Sequence, residues 1–431
     1  MSENESESEE QEANDAQAWI IRPIVSLSYP HFRWFWMSNL LVAFGLMVQF
    51  TAQGWLVVEL TDSALLLGIV EGVWALAFVG SSIPMGVVAD RFNRRDLLLA
   101  DNAVAILAAA AIGVLAITGS VAVWHVMVFA AVGGLLFAVR FPASQAMTAR
   151  LVPEQHLMNA TSLNTAAHSL PNVAGPALGG VLVGGVGIGA AYFATTGAYT
   201  LALLMLMLGV TASFGKVERA KGSTVRSDLR EAYDYLVNNR DLLKLTAAVL
   251  IPFMLGQSYG LLLPLFVEQE LGRGAATFGA LSASVGAGGV TGALLVATFG
   301  QRGQIGRLMF AGVAAVGVAA IVYGLSQSVL LVGAALFLAG VGQSALFSSY
   351  ETYLLVTLPD EMRGRVMGLT FTMFGFFPIS VIGAGALADQ IGLRAVAVIE
   401  GSGIIVMAAF AWWSVLRFVT DPRSGGGAAE A

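Results

Sequence analysis

Of 431 residues, 57% are hydrophobic and 12% charged; soluble domains carry about 25% charged residues, so a water-soluble globular fold is excluded and the bilayer is the solvent this composition suits. The chain has no cysteine, which removes disulfides, thiol catalysis and thiolate metal sites, and its four scattered histidines (His31, His125, His156, His168) show no metal-ligand spacing. The formal charge of −6 comes from the opening, where seven acids and no base stand in residues 1–15.

In chain order, residues 1–17 read as a disordered, solvated acidic tail, with partner binding as the alternative. They have neither the basic start nor the apolar stretch of a signal peptide, so none is expected. Hydropathy and turn punctuation then predict twelve spans: 32–60, 65–89, 97–119, 121–151, 158–185, 187–213, 242–267, 275–299, 305–327, 329–357, 364–391 and 394–418. The expected fold is an all-α integral membrane protein, twelve transmembrane helices in two pseudo-symmetric six-helix bundles. The bundles cover 18–213 and 242–418, joined by a linker at 214–241 and followed by a tail at 419–431.

Of 22 lysines and arginines, Arg140 alone lies deep within a span, and Arg273 and Arg394 fall in or beside loops opposite the termini. All others lie on the termini's side or its border, so the positive-inside rule predicts that both ends are cytoplasmic. In the linker, Asp228 followed by Glu231 looks like a helix start, and Val225, Leu229, Ala232, Tyr233 and Leu236 share a face. This predicts a short amphipathic helix lying on the cytoplasmic surface. The halves also echo each other: "LVPEQHLMNATSLN" (151–164) matches "TLPDEMRGRVMGLT" (357–370), with Pro153 over Pro359. Each copy ends an even-numbered span and opens the next, as in transporters built from parallel six-span repeats.

The turn after span 2, "GVVADRFNRR" (86–95), carries unusual charge. Arg91, Arg94 and Arg95 suit a cytoplasmic helix end; Asp90 does not, because a helix C-terminus repels a carboxylate. It calls for a cation, such as Arg150, or for the start of another helix near Gly364. The pattern resembles the loop between spans 2 and 3 of the major facilitator superfamily, with Gly86, Asp90, Arg91, Arg94 and Arg95 matching and Asn93 replacing the usual glycine. The resemblance implies that Asp90 latches the cytoplasmic side during alternating access; topogenic charge alone would explain the arginines. A similar string, "GALADQIGLR" (385–394), falls at the outer end of span 11, and Asp389 is read there as a loop or helix-end residue. The corresponding loop of the second half, "GQRGQIGR" (300–307), keeps Arg302 and Arg307 but has no acid.

"GPALGG" (175–180) in span 5 resembles an element of drug and proton antiporters in the same superfamily, with Pro171 where a glycine is usual. Physically, Gly175, Gly179 and Gly180 permit close helix approach, and Pro176 bends the span. Together "ADRFNRRDLLL", "FPASQAMTARLVP" and "PDEMRGRVMGL" resemble the bacterial branch of enterobactin exporter-like and drug efflux transporters.

Ionisable groups inside spans are expensive and mark transport paths. Arg140 lies roughly 16 Å, and Glu351 roughly 10 Å, from the cytoplasmic ends of spans 4 and 10. They are expected to face each other across the halves as a proton-coupled pair; the alternative has Arg140 snorkelling and Glu351 paired to Arg363. Glu71 is read as a second protonation site or an outer gate, or as a carboxylate in contact with interfacial water. Asp101 and Glu400 are expected to be border-solvated. Substrate-cavity candidates are Asn39, Gln49, Gln53, His168, Gln257, Tyr259, Gln343 and Tyr350, joined by Asn164, Ser348 and Tyr353. With Phe35, Trp55, Phe137 and Phe347 they suggest an amphipathic, aromatic pocket; helix–helix hydrogen bonding is the plainer role for each.

No phosphate-cradling loop, nucleophile elbow or metal-binding motif occurs, and no soluble segment is long enough for a nucleotide domain. The expectation is therefore a non-enzymatic secondary transporter. It needs no cofactor or metal, contacts membrane lipid and a small-molecule substrate but no nucleic acid, and works as a monomer. Its expected activity is export of a drug-like or siderophore-like amphipath by proton antiport. An importer or symporter on the same fold and a non-transporting receptor or assembly subunit are the alternatives.

Overall fold

The structure, a computed structural model, describes residues 24–210, 225–300, 304–373 and 376–420. The acidic tail, Arg302, Lys221 and its neighbours before the linker helix, and the last eleven residues lie outside the described residues, as do the side chains of Asp90, Arg91, Gly364 and Tyr259.

Twelve spans run through it: Pro30–Leu60, Ala64–Arg91, Arg94–Ile117, Val123–Leu151, Leu157–Gly185 and Ile188–Gly209 in the first half. The second half has Arg240–Leu261 continued by Leu263–Gln269, then Ala275–Phe299, Ile305–Leu325, Val329–Thr357, Asp360–Met373 with Phe377–Ile391, and Leu393–Thr420. Among the described residues, ten helices are long and apolar enough to cross a membrane, counting Arg240–Gln269 as one, and Phe377–Ile391 is a shorter apolar helix. Span 5, 29 residues long, is diluted by glycine, asparagine and threonine. Span 7 divides at Leu262, where Pro264 opens the second segment in the first-turn position that needs no amide donor.

Helix ends carry local signals. Pro30 starts span 1, Ser63 caps span 2 by accepting from the Leu66 amide at 3.2 Å, and Asn239 caps span 7 through the Leu242 amide at 3.1 Å. Glycines 119, 187, 272 and 392 hold φ between +59° and +106°, and each closes a turn on the face opposite the termini, where only glycine turns this tightly without strain. That side is called the far face below; the other is the termini face.

The two halves are built alike. Span 2 packs on span 4 and span 3 on span 6; correspondingly, span 8 packs on span 10 and span 9 on span 12. Between the halves, span 5 packs on span 8 and span 2 on Phe377–Ile391 of span 11. Asp360–Met373, on the termini face, packs instead against span 10 and the linker helix.

The linker helix, Val225–Asn238, is present, but it seats on span 11 and span 7 rather than on a membrane surface alone. Ala232 and Leu236 are buried, whereas Tyr233 is 58% exposed, against the expectation that it shares their face. Tyr235 takes that inner position, because the buried stripe turns toward span 11. Glu231 accepts from Arg365 at 2.9 Å across this contact.

Candidate functional site

Two arginines after span 2 tie the turn to its own half: Arg94 reaches the Ala146 carbonyl at 3.4 Å and Arg95 that of Met207 at 2.9 Å. Asn93 is extended (φ −64°, ψ 123°), and its side chain accepts from the Arg95 amide at 3.1 Å, so it serves as a helix cap where a glycine's freedom is unnecessary. Arg150 is half-buried at the end of span 4. Gly86 has open space around it, with nothing within 4 Å of where a Cβ would stand.

The strongest polar feature inside the spans was not expected. Arg140 does not meet Glu351; it donates to the Asp101 carboxylate and to Asn102 Oδ1 at 3.2 Å, both on span 3. Asp101 is 3% exposed, its second oxygen has no partner among the described residues, and Arg140 keeps its side chain 14% exposed. Glu351 is half-buried, without an ion pair among the described residues. Asp101 is therefore not border-solvated. Counting residues from a loop measures depth but not azimuth, and span 3 turns this position inward against span 4. Burying one charge demands the other, since an isolated carboxylate or guanidinium here would be far costlier.

Beside this pair a cavity opens within the first half, lined by Val42, Leu46, Gln49, Phe129, Leu136, Phe137, Arg140 and Tyr199 among others. Gln49 accepts from the Tyr199 hydroxyl at 2.9 Å. His168, exposed on span 5, lies within electrostatic reach of Arg140. Phe50, Trp74, Phe78, Phe137 and Phe141 form a continuous half-exposed aromatic cluster on spans 1, 2 and 4, with ring centroids 5.2–6.2 Å apart. Only Phe137 of these was singled out from sequence. Aromatic pairs four residues apart, Trp74 with Phe78 on span 2 and Phe137 with Phe141 on span 4, were the available signal. Phe253 and Phe347, on spans 7 and 10, pack at a tilt with ring centroids 5.3 Å apart.

Other candidates are structural. Glu71 is 8% exposed and accepts from Gln53, itself 1% exposed, at 3.4 Å, so it does not reach interfacial water. Glu400 is half-buried and its Oε2 is buried with no partner among the described residues, so it is not border-solvated either. Tyr350 is wholly buried, sharing hydrogen bonds with Thr246 at 3.1 Å and Thr370 at 3.3 Å. Asn39 donates to Ser144 at 3.0 Å, Asn164 to Thr148 at 2.5 Å, and Gln343 to the Gly256 carbonyl at 2.8 Å; Gln257 is half-buried. Phe35 and Trp55 are buried as well, Trp55 stacking on Phe278 at 6.2 Å between the halves.

The glycines of span 5 serve two neighbours. Gly175 and Gly179 face Met47 and Thr51 of span 1, while Gly180 meets Gly279 of span 8 backbone to backbone, where a Cβ would stand 2.6 Å from the Ala275 carbonyl oxygen. Pro176 lies against Gly279 on the same side. The close approaches between the halves cluster toward the far face: Gly180 on Gly279, Gly68 on Val381, and Gly385 on Ala64.

A sequence profile of the transmembrane secretion effector family matches residues 21–422. The chain is 26% identical over 361 residues to the multidrug efflux pump Tap of Mycolicibacterium fortuitum, covering 81% of this chain and 87% of that one. To macrolide efflux protein A of Streptococcus pyogenes it is 23% identical over 362 residues, covering 81% and 87%. Among solved structures, the nucleoside transporter NupG superposes with a TM-score of 0.68 at 12% identity, over 90% of this chain and 99% of that one. A bacterial homologue of the human lysosomal transporter Spinster, inward-facing and unoccupied, superposes with a TM-score of 0.65 at 15% identity, over 92% and 98%.

Proposed function

The chain belongs to the transmembrane secretion effector family of major facilitator transporters, and from that premise we propose that it exports amphipathic small molecules by proton antiport through alternating access. On this reading both termini are cytoplasmic, the far face is the outer face of a bacterial inner membrane, and the conformation is closed outward. The transporter acts as a monomer, without cofactor, on the energy of an ion gradient.

The observation that carries the reading is the buried Arg140–Asp101 pair beside a largely apolar cavity. A cavity with many aromatic faces and few hydrogen-bonding groups favours a greasy cargo over a sugar. The pair replaces Arg140–Glu351 as the coupling element: a proton on Asp101 removes the charge that holds Arg140, freeing the guanidinium to turn toward the cavity. Return of Arg140 expels the proton. Protonation takes the site from a neutral pair to a net charge of +1 on Arg140, a charge that stays solvated only if the guanidinium turns to the cavity. The efflux activities of the relatives support the direction of transport.

The test uses proteoliposomes with an imposed pH gradient and a trapped pH-sensitive dye, scanning cationic and neutral amphipaths. Wild type should move protons against cargo. Asp101→Asn should lose cargo-dependent proton movement by more than tenfold, and Glu351→Gln should keep it. Cargo flux without proton movement in the wild type would remove the antiport reading.

A further inference from the structure

One acid at the far face is absorbed neither by the cavity nor by the coupling pair. Asp389, in the last turn of span 11, reaches across to the other half. Its Oδ1 accepts from the Ala64 amide at 2.7 Å, and its Oδ2 accepts from the Ser63 hydroxyl at 2.7 Å and the Leu65 amide at 3.2 Å. Those amides are the open start of span 2, where partial positive charge gathers. At the end of its own helix the carboxylate is disfavoured, so the span 2 start is its stabilising partner.

The residues around it repeat a pattern met elsewhere in the chain. Gly385, Asp389, Gly392 and Arg394 have the spacing of Gly86, Asp90, Asn93 and Arg95. The two strings end opposite members of one helix pair: the first closes span 2 on the termini face, the second closes span 11 on the far face. At the far copy the gate is shut. A Cβ on Gly385 would stand 2.4 Å from the Ala64 carbonyl oxygen, and Arg394 anchors the turn behind it through Glu270 and the Ser326 carbonyl at 2.9 Å. At the near copy Gly86 faces nothing within 4 Å among the described residues.

We propose that Asp389 is the outer-gate latch, a second copy of the charged-turn device that bonds the span 2 start when the outer side is closed and lets go when it opens. The proposal rests on the alternating-access reading. Asp389 touches no cargo; it is a positioning residue that sets which face is closed. Its grip is suited to a gate: a few exposed hydrogen bonds that water replaces on opening, rather than a buried pair whose rupture would strand a charge.

The chain's lack of cysteine makes the test direct. Val381, wholly buried against Gly68 of span 2, becomes the far-face reporter as Val381→Cys. Thr165, exposed two turns below Asn172 on the side of span 5 that faces span 8, becomes the termini-face reporter as Thr165→Cys. Each is labelled with a bulky charged maleimide in nanodiscs, where both faces are reachable. Asp389→Ala should raise the Val381→Cys labelling rate about tenfold, the scale of losing a helix cap, and lower that of Thr165→Cys. Asp389→Asn, which keeps an acceptor oxygen, should fall between. Unchanged labelling at Val381→Cys, or a rise at both reporters from a merely loosened fold, overturns the latch. Asp90→Ala is the control at the other end and should raise Thr165→Cys labelling. Opposite movement with Asp90→Ala but none with Asp389→Ala removes the latch alone; no opposite movement in any variant removes alternating access itself.

Discussion

At the scale of single residues, the Arg140–Asp101 pair sets the sharpest expectations. Removing one partner leaves the other buried and unpaired, at a cost of about 3–5 kcal/mol; removing both leaves a neutral contact. Arg140→Gln should therefore lower the unfolding temperature in detergent more than the double variant Arg140→Gln/Asp101→Asn does. A double variant no more stable than the single would show that the pair is not coupled. By contrast, Arg365–Glu231 is solvent-exposed, with Glu231 56% accessible. Such pairs are worth roughly 0–1 kcal/mol, and Glu231→Gln should change transport less than twofold in a flux assay. The sequence marked Arg140 as exceptional, because a lone guanidinium within a span stands out. Its partner was not legible: Asp101 lies 39 positions away, and only the rotation of span 3 about its axis decides whether that carboxylate meets lipid, water or span 4.

At the scale of elements, span 5 is tightly constrained, since its glycines admit span 1 on one side and span 8 on the other. Gly180→Val should leave insertion intact but hold the halves apart at Gly279, reducing flux by more than tenfold in proteoliposomes; near-normal flux would show that the contact is dispensable. Element existence was highly legible. Ala275–Phe299 and Val329–Thr357 coincide with the predicted limits, because apolar length and the flanking turns announce a membrane helix. The division of span 7 was not, although Pro264 was the mark of it. A proline within an apolar run reads equally as a kink or as a fresh start, and the carbonyls of the preceding turn decide which.

At the scale of the whole molecule, the far-face closure can be tested by locking it. A Cβ on Gly184 would lie 3.5 Å from that of Ala276, within the 3.5–4.5 Å that a disulfide requires. The double variant Gly184→Cys/Ala276→Cys should cross-link under mild oxidation, stop cargo flux, and recover on reduction; flux that survives complete cross-linking would refute a moving gate there. The number and order of the spans followed from hydropathy and turn residues. Which spans meet across the halves did not, because spans 2, 5, 8 and 11 are apolar on several sides and their mutual choice is made by small residues and by Asp389.

The contact between spans 5 and 8 has a mechanical consequence. Its innermost point is Gly286 against the Asn172 carbonyl, where a Cβ would stand 2.3 Å away. Asn172 divides span 5 into arms of about 20 Å toward Gly185 and about 22 Å toward Leu157 at 1.5 Å per residue. A beam balanced so near its middle opens one end by as much as it shuts the other. The area the protein claims in one leaflet is then returned in the opposite leaflet, and its average footprint stays constant through the cycle. Turnover, read as flux in proteoliposomes under osmotic tension, should accordingly be indifferent to stretching of the bilayer.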